Sequence, residues 1–325
     1  MMNEKRGFVV TELVLAAVIL ILALNMILGK HEEKLEKVVV VLQDAEDNQW
    51  AALKYGLKMA AEEYEVEFSV VDLEEGASAE SQKSIIAGEV ENGADALIIQ
   101  PISANDTKKV LKSIGRKVPV MLIEEEVCGK SGNPLFPVAK ADDQQMGKEL
   151  AEEVIHDFEG NIGAKRIGIL VDETDSAVVK KRAEGAKMVL EKSGATIEEI
   201  SIDAFLWGAY TEEKGNGNGM DIVVALNDQD LTTLGAYFAD NQPQREMLYG
   251  VGHSTEAIYY LDKGIVEVVV VPDEFNAGYQ SLSEVAKKLN SHLGKMKKQK
   301  ISYAVIRKET LFTKENQEII LTMSQ

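Results

Sequence analysis

From Lys37 onward, short runs of β-branched and apolar residues alternate with longer segments of helical period, and this rhythm constrains the fold more than any other feature. Strands separated by helix-length segments cannot be joined as tight hairpins, so they pair in parallel through crossover helices. The strand candidates are residues 38–42, 67–71, 96–99, 118–123, 166–171, 196–202, 221–226, 247–251 and 267–271. Between the first two, a helical stretch over 50–64 places Leu53, Leu57, Ala60 and Ala61 on one face. The VVVV runs at 38–41 and 268–271 are apolar on both faces, as strands covered by helices on both sides must be.

The cycle breaks at 129–141, where GKSGNPLFPVAKA carries two prolines and two glycines and marks a passage between lobes. The helix predicted over 142–158 then opens with Asp142 and Asp143, acids that suit the positive end of a helix dipole. A second βα series runs on to Val271. Two doubly wound lobes in succession leave a ligand cleft at the carboxyl ends of their strands.

Ahead of this region, residues 8–28 (FVVTELVLAAVILILALNMIL) are apolar apart from Thr11, Glu12 and Asn25, long enough for a helical membrane span of about 20 residues. Lys5 and Arg6 precede the run, and Lys30, His31, Glu32 and Glu33 follow it, which by the positive-inside bias leaves the N-terminus in the cytoplasm and the large domain outside. The long apolar core and the lack of an A-x-A-like site favour a retained anchor over a cleaved signal. The sole cysteine, Cys128, lies far from the run, so a lipoprotein signal is excluded. A second reading remains: Lys5, Arg6, Gly7 and Phe8, with Glu12 beyond them, resemble a type IV prepilin leader cut after Gly7.

The net charge of −19 argues against nucleic acid as a partner. The basic KMKKQK segment at 295–300 reads as a solvated loop. GNGNG at 215–219 follows a helical stretch and precedes a strand, the reverse of the order a phosphate-binding loop needs, and reads as a flexible connection. His31, His156, His253 and His292 are scattered, and neither a nucleophile elbow nor a metal-ligand spacing accompanies them, so no catalytic residue, metal site or cofactor is expected.

A series of segments in order then carries a family resemblance: VVVVLQDAEDNQWAALKYGLKMAAEE, GADALIIQPIS, PVMLIEEE, ADDQQMGKELAE, KRIGILVDETDSAVVKKRAEGAKMVL, IVVALNDQDLTTLGAYF, YGVGHSTEAIYYL and VVVVPDEFNAGYQS. Together they resemble the type 1 periplasmic binding proteins, in the ribose/galactose-binding branch that shares its fold with the lactose-repressor core. The resemblance covers about residues 37–310. It implies an α/β fold of two doubly wound parallel-sheet lobes with a hinge and an interlobe cleft, here preceded by one transmembrane helix. The expected divisions are a cytoplasmic N-terminus (1–7), an anchor (8–28), a linker (29–36), a first lobe (37–138 plus 272–299) and a second lobe (139–271 plus 300–325).

The resemblance also implies a monomer that closes on a small ligand, most naturally a sugar, and is read by an ABC permease or by a membrane sensor such as a histidine kinase or chemoreceptor. By position in the family pattern, Trp50 stands as the stacking aromatic with Asp47 as a polar contact in the same loop. Glu124 stands as the acid near the hinge, with Glu125 after it. In the second lobe the matching positions are Lys180, with Arg182 as its alternative, Phe205 or Trp207 as an opposing aromatic, and Asn227 with Asp228 as a polar pair. Asp143 falls near the cleft mouth, where helix capping is an equal reading. His253 stands where the family usually has Asp, and Val270 where the ribose branch often has Gln, so the sugar contacts depart from the pattern. The acids around the cleft make an amino sugar or polyamine conceivable alongside a neutral sugar. A repressor of this fold would begin with a helix-turn-helix segment, and here the apolar run is expected in its place.

Overall fold

The computed structural model describes residues 14–20, 35–45, 50–74, 76–172, 176–211, 219–241, 246–291 and 294–323. The chain divides into a unit over Met1–Glu36 and a unit over Lys37–Gln325. Most of the expected anchor, 8–28, lies outside the described residues. Within it, residues 14–20 are helical with exposed side chains, and among the described residues no helix is long and apolar enough to cross a membrane.

The second unit holds two six-stranded sheets. The first is built from β1 (Lys37–Gln43), β2 (Glu67–Leu73), β3 (Ala96–Ile99), β4 (Val120–Ile123), β5 (Val138–Lys140) and β11 (Gln299–Lys300), in the order β11-β5-β4-β3-β1-β2, all parallel. The second contains β6 (Arg166–Leu170), β7 (Thr196–Ile200), β8 (Ile222–Ala225), β9 (Met247–Val251), β10 (Val266–Pro272) and β12 (Tyr303–Arg307), in the order β12-β10-β9-β8-β6-β7. Only the β10–β12 pair is antiparallel.

Helices cover both faces of each sheet: α1 (Ala51–Tyr64), α2 (Ala79–Glu91), α3 (Ala104–Ile114) and α9 (Glu274–Asn290) in the first lobe. The second lobe carries α4 (Asp143–Asp157), α5 (Ala177–Leu190), α6 (Ile202–Thr211), α7 (Asp228–Asp240), α8 (Thr255–Lys263) and α10 (Lys314–Thr322). Val38, Val40 and Leu42 of β1 join one apolar cluster and Val39 and Val41 the other, because successive side chains leave opposite faces of a strand. A fully apolar run is therefore the composition a central, doubly covered strand requires.

Two helix pairs pack at backbone distance. A Cβ added to Gly56 on α1 would lie 2.0 Å from the Phe275 carbonyl of α9, and one on Gly278 would lie 2.1 Å from the Leu53 carbonyl. The second lobe repeats the arrangement between α4 and α5, where a Cβ on Gly147 would meet the Arg182 carbonyl at 1.9 Å and one on Gly185 the Gln144 carbonyl at 2.0 Å.

The chain passes between lobes after β5, after β10 and after β11. The boundary expected at 138/139 is corrected: residues 139–140 complete β5 in the first sheet, and Lys300 likewise belongs to that sheet through β11. Asp273 fastens two of the crossings together. Its N–H donates to the Ser302 carbonyl at 3.0 Å, and its Oδ2 accepts from Ser302 Oγ at 3.2 Å while its Oδ1 caps α9 through the Asn276 N–H. Ala52 and Phe275, from helices of the first lobe, also pack with the apolar cluster of the second lobe, so the lobes touch beyond the hinge.

Candidate functional site

In each sheet the strand order reverses beside the first strand of the lobe. β1 lies between β2 and β3, and β6 between β7 and β8, which opens a crevice at their carboxyl ends. A cavity of about 240 Å³ occupies the place where the two crevices face each other. Gln43 and Asp44 reach it from the end of β1, Trp50 from the start of α1, Gln100 from the end of β3 and Glu124 from the end of β4. The second lobe contributes Arg182 from α5, Asn227 and Asp228 from the β8–α7 junction and His253 after β9.

The first-lobe wall is held by linked hydrogen bonds. Gln100 accepts the Gln43 N–H at Oε1 (3.0 Å) and donates through Nε2 to Glu124 Oε2 (2.7 Å), while its own carbonyl accepts from Gln82 Nε2 (2.8 Å). Glu124 and Asp44 both adopt left-handed backbone (φ 61° and 50°), a conformation that costs about 1 kcal/mol or more for a residue with a Cβ and that clusters at functional sites. Trp50 is 3% exposed, and its indole donates to the Gln43 carbonyl at 3.0 Å. Across the cleft its ring meets that of His253, centroids 6.3 Å apart and tilted by 45°.

On the opposite wall, Asp228 Oδ1 accepts the N–H groups of His253 (2.6 Å) and Ser254 (2.9 Å), tying the β9 loop to the start of α7. Asn227 caps α7 by accepting the Asp230 N–H at 2.7 Å. Arg182 is 8% exposed: one terminal nitrogen donates to the Leu226 carbonyl (2.9 Å) and the other pairs with Asp143 (3.3 Å), which also holds Lys140 (3.0 Å). Burial pushes the Glu124 carboxyl above its ordinary range, against the pull of His253, Arg182 and the Gln100 hydrogen bond. Glu274, the first residue of α9, is pushed up to about 7 by burial, with His253, Glu124 and Arg182 as its principal charged neighbours.

The structure brings together Trp50, Glu124, Asn227 and His253 of the expected residues. Asp47 lies outside the described residues. Asp143 is buried behind the cavity as the partner of Arg182 and Lys140, and its neighbour Asp142 takes the helix-capping role through the Gln145 N–H. Glu125 does not line the cavity; it is half-buried, and its carboxyl is raised by burial against the opposing pull of Lys181 and the Ala104 backbone.

Two expectations are corrected. Lys180 is exposed and lines a separate cavity of about 720 Å³ with Asp172, Lys187 and Glu199, whereas its alternative Arg182 faces the cleft. Two residues along a helix turn the side chain by roughly 200°, so they cannot share a face. Phe205 is fully buried and meets Phe238 edge-on (6.3 Å, 76°), while its alternative Trp207 is 70% exposed; neither lines the cleft cavity. Both sit on α6, which follows edge strand β7.

Gln43, Asp44 and Gln100 line the cavity without having been among the expected residues, and Glu274 lies buried outside its lining. The signal for the two glutamines was present: Gln43 ends the buried apolar run of β1 and Gln100 follows that of β3, the place from which a chain addresses the crevice.

Two doubly wound lobes joined by three crossings around a polar cavity define a hinged ligand-binding protein. A family model described as a periplasmic binding protein domain matches residues 38–295, and the chain belongs to that family. No curated protein matches the sequence. Among solved structures, the chain is similar to a carbohydrate transporter solute binding protein from Agrobacterium radiobacter in complex with D-arabinose (TM-score 0.75, 14% identity, 88% of this chain and 99% of the other). It is also similar to a glucose-galactose binding protein from Geobacillus stearothermophilus (TM-score 0.70, 19% identity, 86% and 99%) and to the XylFII-LytSN complex (TM-score 0.71, 16% identity, 85% and 98%). At these identities the likeness is one of fold.

Proposed function

We propose that this protein is a membrane-anchored, extracytoplasmic solute-binding protein that captures a single sugar unit and delivers it, by lobe closure, to an ABC-transporter permease. The observation that carries this reading is the cavity of about 240 Å³ walled by both lobes, with one aromatic, Trp50, among amide and charged groups. A sugar ring has an apolar face for the indole and a hydroxyl perimeter for Glu124, Gln100, Arg182 and Asn227. The volume falls below the roughly 300–1,000 Å³ of drug-sized sites, which favours a monosaccharide over a longer chain. The ligands named for the similar structures, D-arabinose and glucose-galactose, are of that size class.

Contact with both lobes gives the ligand differential affinity for the closed form, which is what a partner can read. The anchor over 8–28 would raise the effective concentration for docking to a membrane partner, and the protein acts as a monomer in this reading. A second reading is a ligand-sensing module that signals to a histidine kinase or chemoreceptor without uptake; the XylFII-LytSN complex favours it, as a case in which a protein of this fold is held by a partner.

A thermal-shift screen of the full chain in detergent against monosaccharides, polyols, amino sugars and polyamines tests the ligand class, since a native-state ligand raises Tm by mass action. Silence across the carbohydrates would refute the reading. Protease accessibility on intact cells, with mass spectrometry of the N-terminus, tests the anchor and its topology, and a terminus beginning at Phe8 would establish processing after Gly7.

A further inference from the structure

The cleft carries more negative charge than its own cation can answer. Asp44, Glu124 and Asp228 line the cavity, and Arg182 is the one lysine or arginine among the described lining residues. That guanidinium is already engaged, by the Leu226 carbonyl on one side and Asp143 on the other. Asp228 is likewise engaged by the two N–H groups of the β9 loop. Glu124 on the cavity wall and Glu274, which is buried and does not line it, pair with no cation at contact distance among the described residues.

Glu274 is the sharper of the two. It is 6% exposed, and its buried Oε2 has no hydrogen-bond partner among the described residues. A buried carboxylate without partners costs several kcal/mol, a burden relieved by taking up a proton or by a cation arriving from outside. The groups that face it are His253 from the β9 loop, Glu124 from the end of β4, Arg182 from α5 and its own neighbour Asp273; the first three line the cleft cavity. Burial also pushes Glu124 upward, with Asp143 adding to the rise and His253 and Arg182 opposing it. The Glu274 carboxyl, pushed up to about 7, therefore stands ready to release a proton to an incoming positive charge, and burial shifts Glu124 in the same direction.

We infer that the cleft selects an amine-bearing sugar, its ammonium group held at the Glu124 carboxyl on the cavity wall, with the buried Glu274 carboxyl adding its negative charge from outside the lining, while the ring lies against Trp50. This assignment rests on the carbohydrate reading above and adds the charge of the ligand to it. A neutral hydroxyl at the same place gives the ionised carboxyls no positive charge to pair with, so the parent sugar binds less well than its amino counterpart.

The test is isothermal titration of the full chain in detergent at pH 7 and pH 5 with matched pairs: glucose and glucosamine, galactose and galactosamine, mannose and mannosamine. In at least one pair the amino sugar is expected to bind about tenfold tighter or better at pH 7, the scale of a charge-assisted hydrogen bond. The advantage shrinks at pH 5, where the Glu274 carboxyl holds its proton and the amine stays charged. Binding at pH 7 also releases protons, seen as an enthalpy that differs between phosphate and Tris buffers. Glu274→Gln, which keeps shape and removes charge, reduces both the preference and the proton release; circular dichroism and Tm confirm that it folds. Neutral sugars that bind as well as their amino partners, or amino-sugar binding without proton release, overturn this inference and leave the carbohydrate reading standing. Silence from every sugar, charged and neutral, overturns both.

Discussion

Trp50 of the first lobe and His253 of the second stand with ring centroids 6.3 Å apart across the cleft, so each lobe supplies one ring to the wall of the same cavity. Each ring is placed by its own lobe. Trp50 is anchored by its indole hydrogen bond to Gln43, and His253 by its backbone hydrogen bond to Asp228, each at the carboxyl end of a parallel strand.

The chain has two tryptophans, and only Trp50 adjoins the cavity. A ligand-induced change in intrinsic fluorescence should survive Trp207→Phe and vanish in Trp50→Phe. Trp50→Ala should also lose about 3–5 kcal/mol of stability in chemical denaturation, because the ring is buried in the first-lobe core. A Trp50→Ala variant with full stability and full affinity would remove both roles.

The Glu274 carboxyl rises from 4.5 to about 7 in the folded chain, so the native state holds that proton more tightly than the unfolded one. Its contribution to stability is complete below about pH 4.5, declines as the pH rises towards 7 and is lost above it. Relative to Glu274→Gln, the ligand-free wild type should therefore lose several degrees of Tm between pH 5 and pH 8. Parallel Tm profiles for the two proteins would show that the carboxyl is not titrating where the fold places it.

Arg182→Ala leaves Asp143 buried beside Lys140 alone. The expected cost is about 3–5 kcal/mol by urea unfolding, together with a large loss of ligand affinity, since the guanidinium spans the lobe interior and the cavity wall. An additional Asp143→Asn change should recover part of the stability and none of the affinity.

Gly147→Ala introduces a Cβ 1.9 Å from the Arg182 carbonyl, which forces α4 and α5 apart. Overpacking of this kind costs about 1–3 kcal/mol or more, and here it also displaces Arg182 from the cleft. Affinity should fall along with stability, whereas Gly88→Ala, where an added Cβ meets nothing within 4 Å, should leave both intact.

Much of this molecule was legible before any coordinates. The doubly apolar VVVV runs required strands covered on both faces, and the strand–helix alternation required parallel pairing. The break at 129–141 reads as a passage between lobes, but its prolines and glycines lie in the connection from β4 to β5 within the first lobe, and the chain crosses only after Lys140. Asn227 and Glu124 were readable as polar residues following strands.

Two kinds of information were not legible. Lys180 and Arg182 differ by two positions, and only the packing of α5 against α4, set by Gly147 and Gly185, decided which cation enters the cleft. Phe205 and Trp207 were likewise ambiguous until α6 took its place on the flank of the second sheet.

Local pattern determined the secondary structure, the parallel pairing and the existence of a crevice in each lobe, since these follow from side-chain periodicity and backbone hydrogen bonding over a few residues. Tertiary structure alone decided the charge of the cleft. Glu274 lies 150 residues from Glu124 in the sequence, and the two acquire their common environment only when the second crossing returns the chain to the first lobe. Burial is a property of what surrounds a group, and those surroundings come from segments whose sequence distance carries no record of their approach.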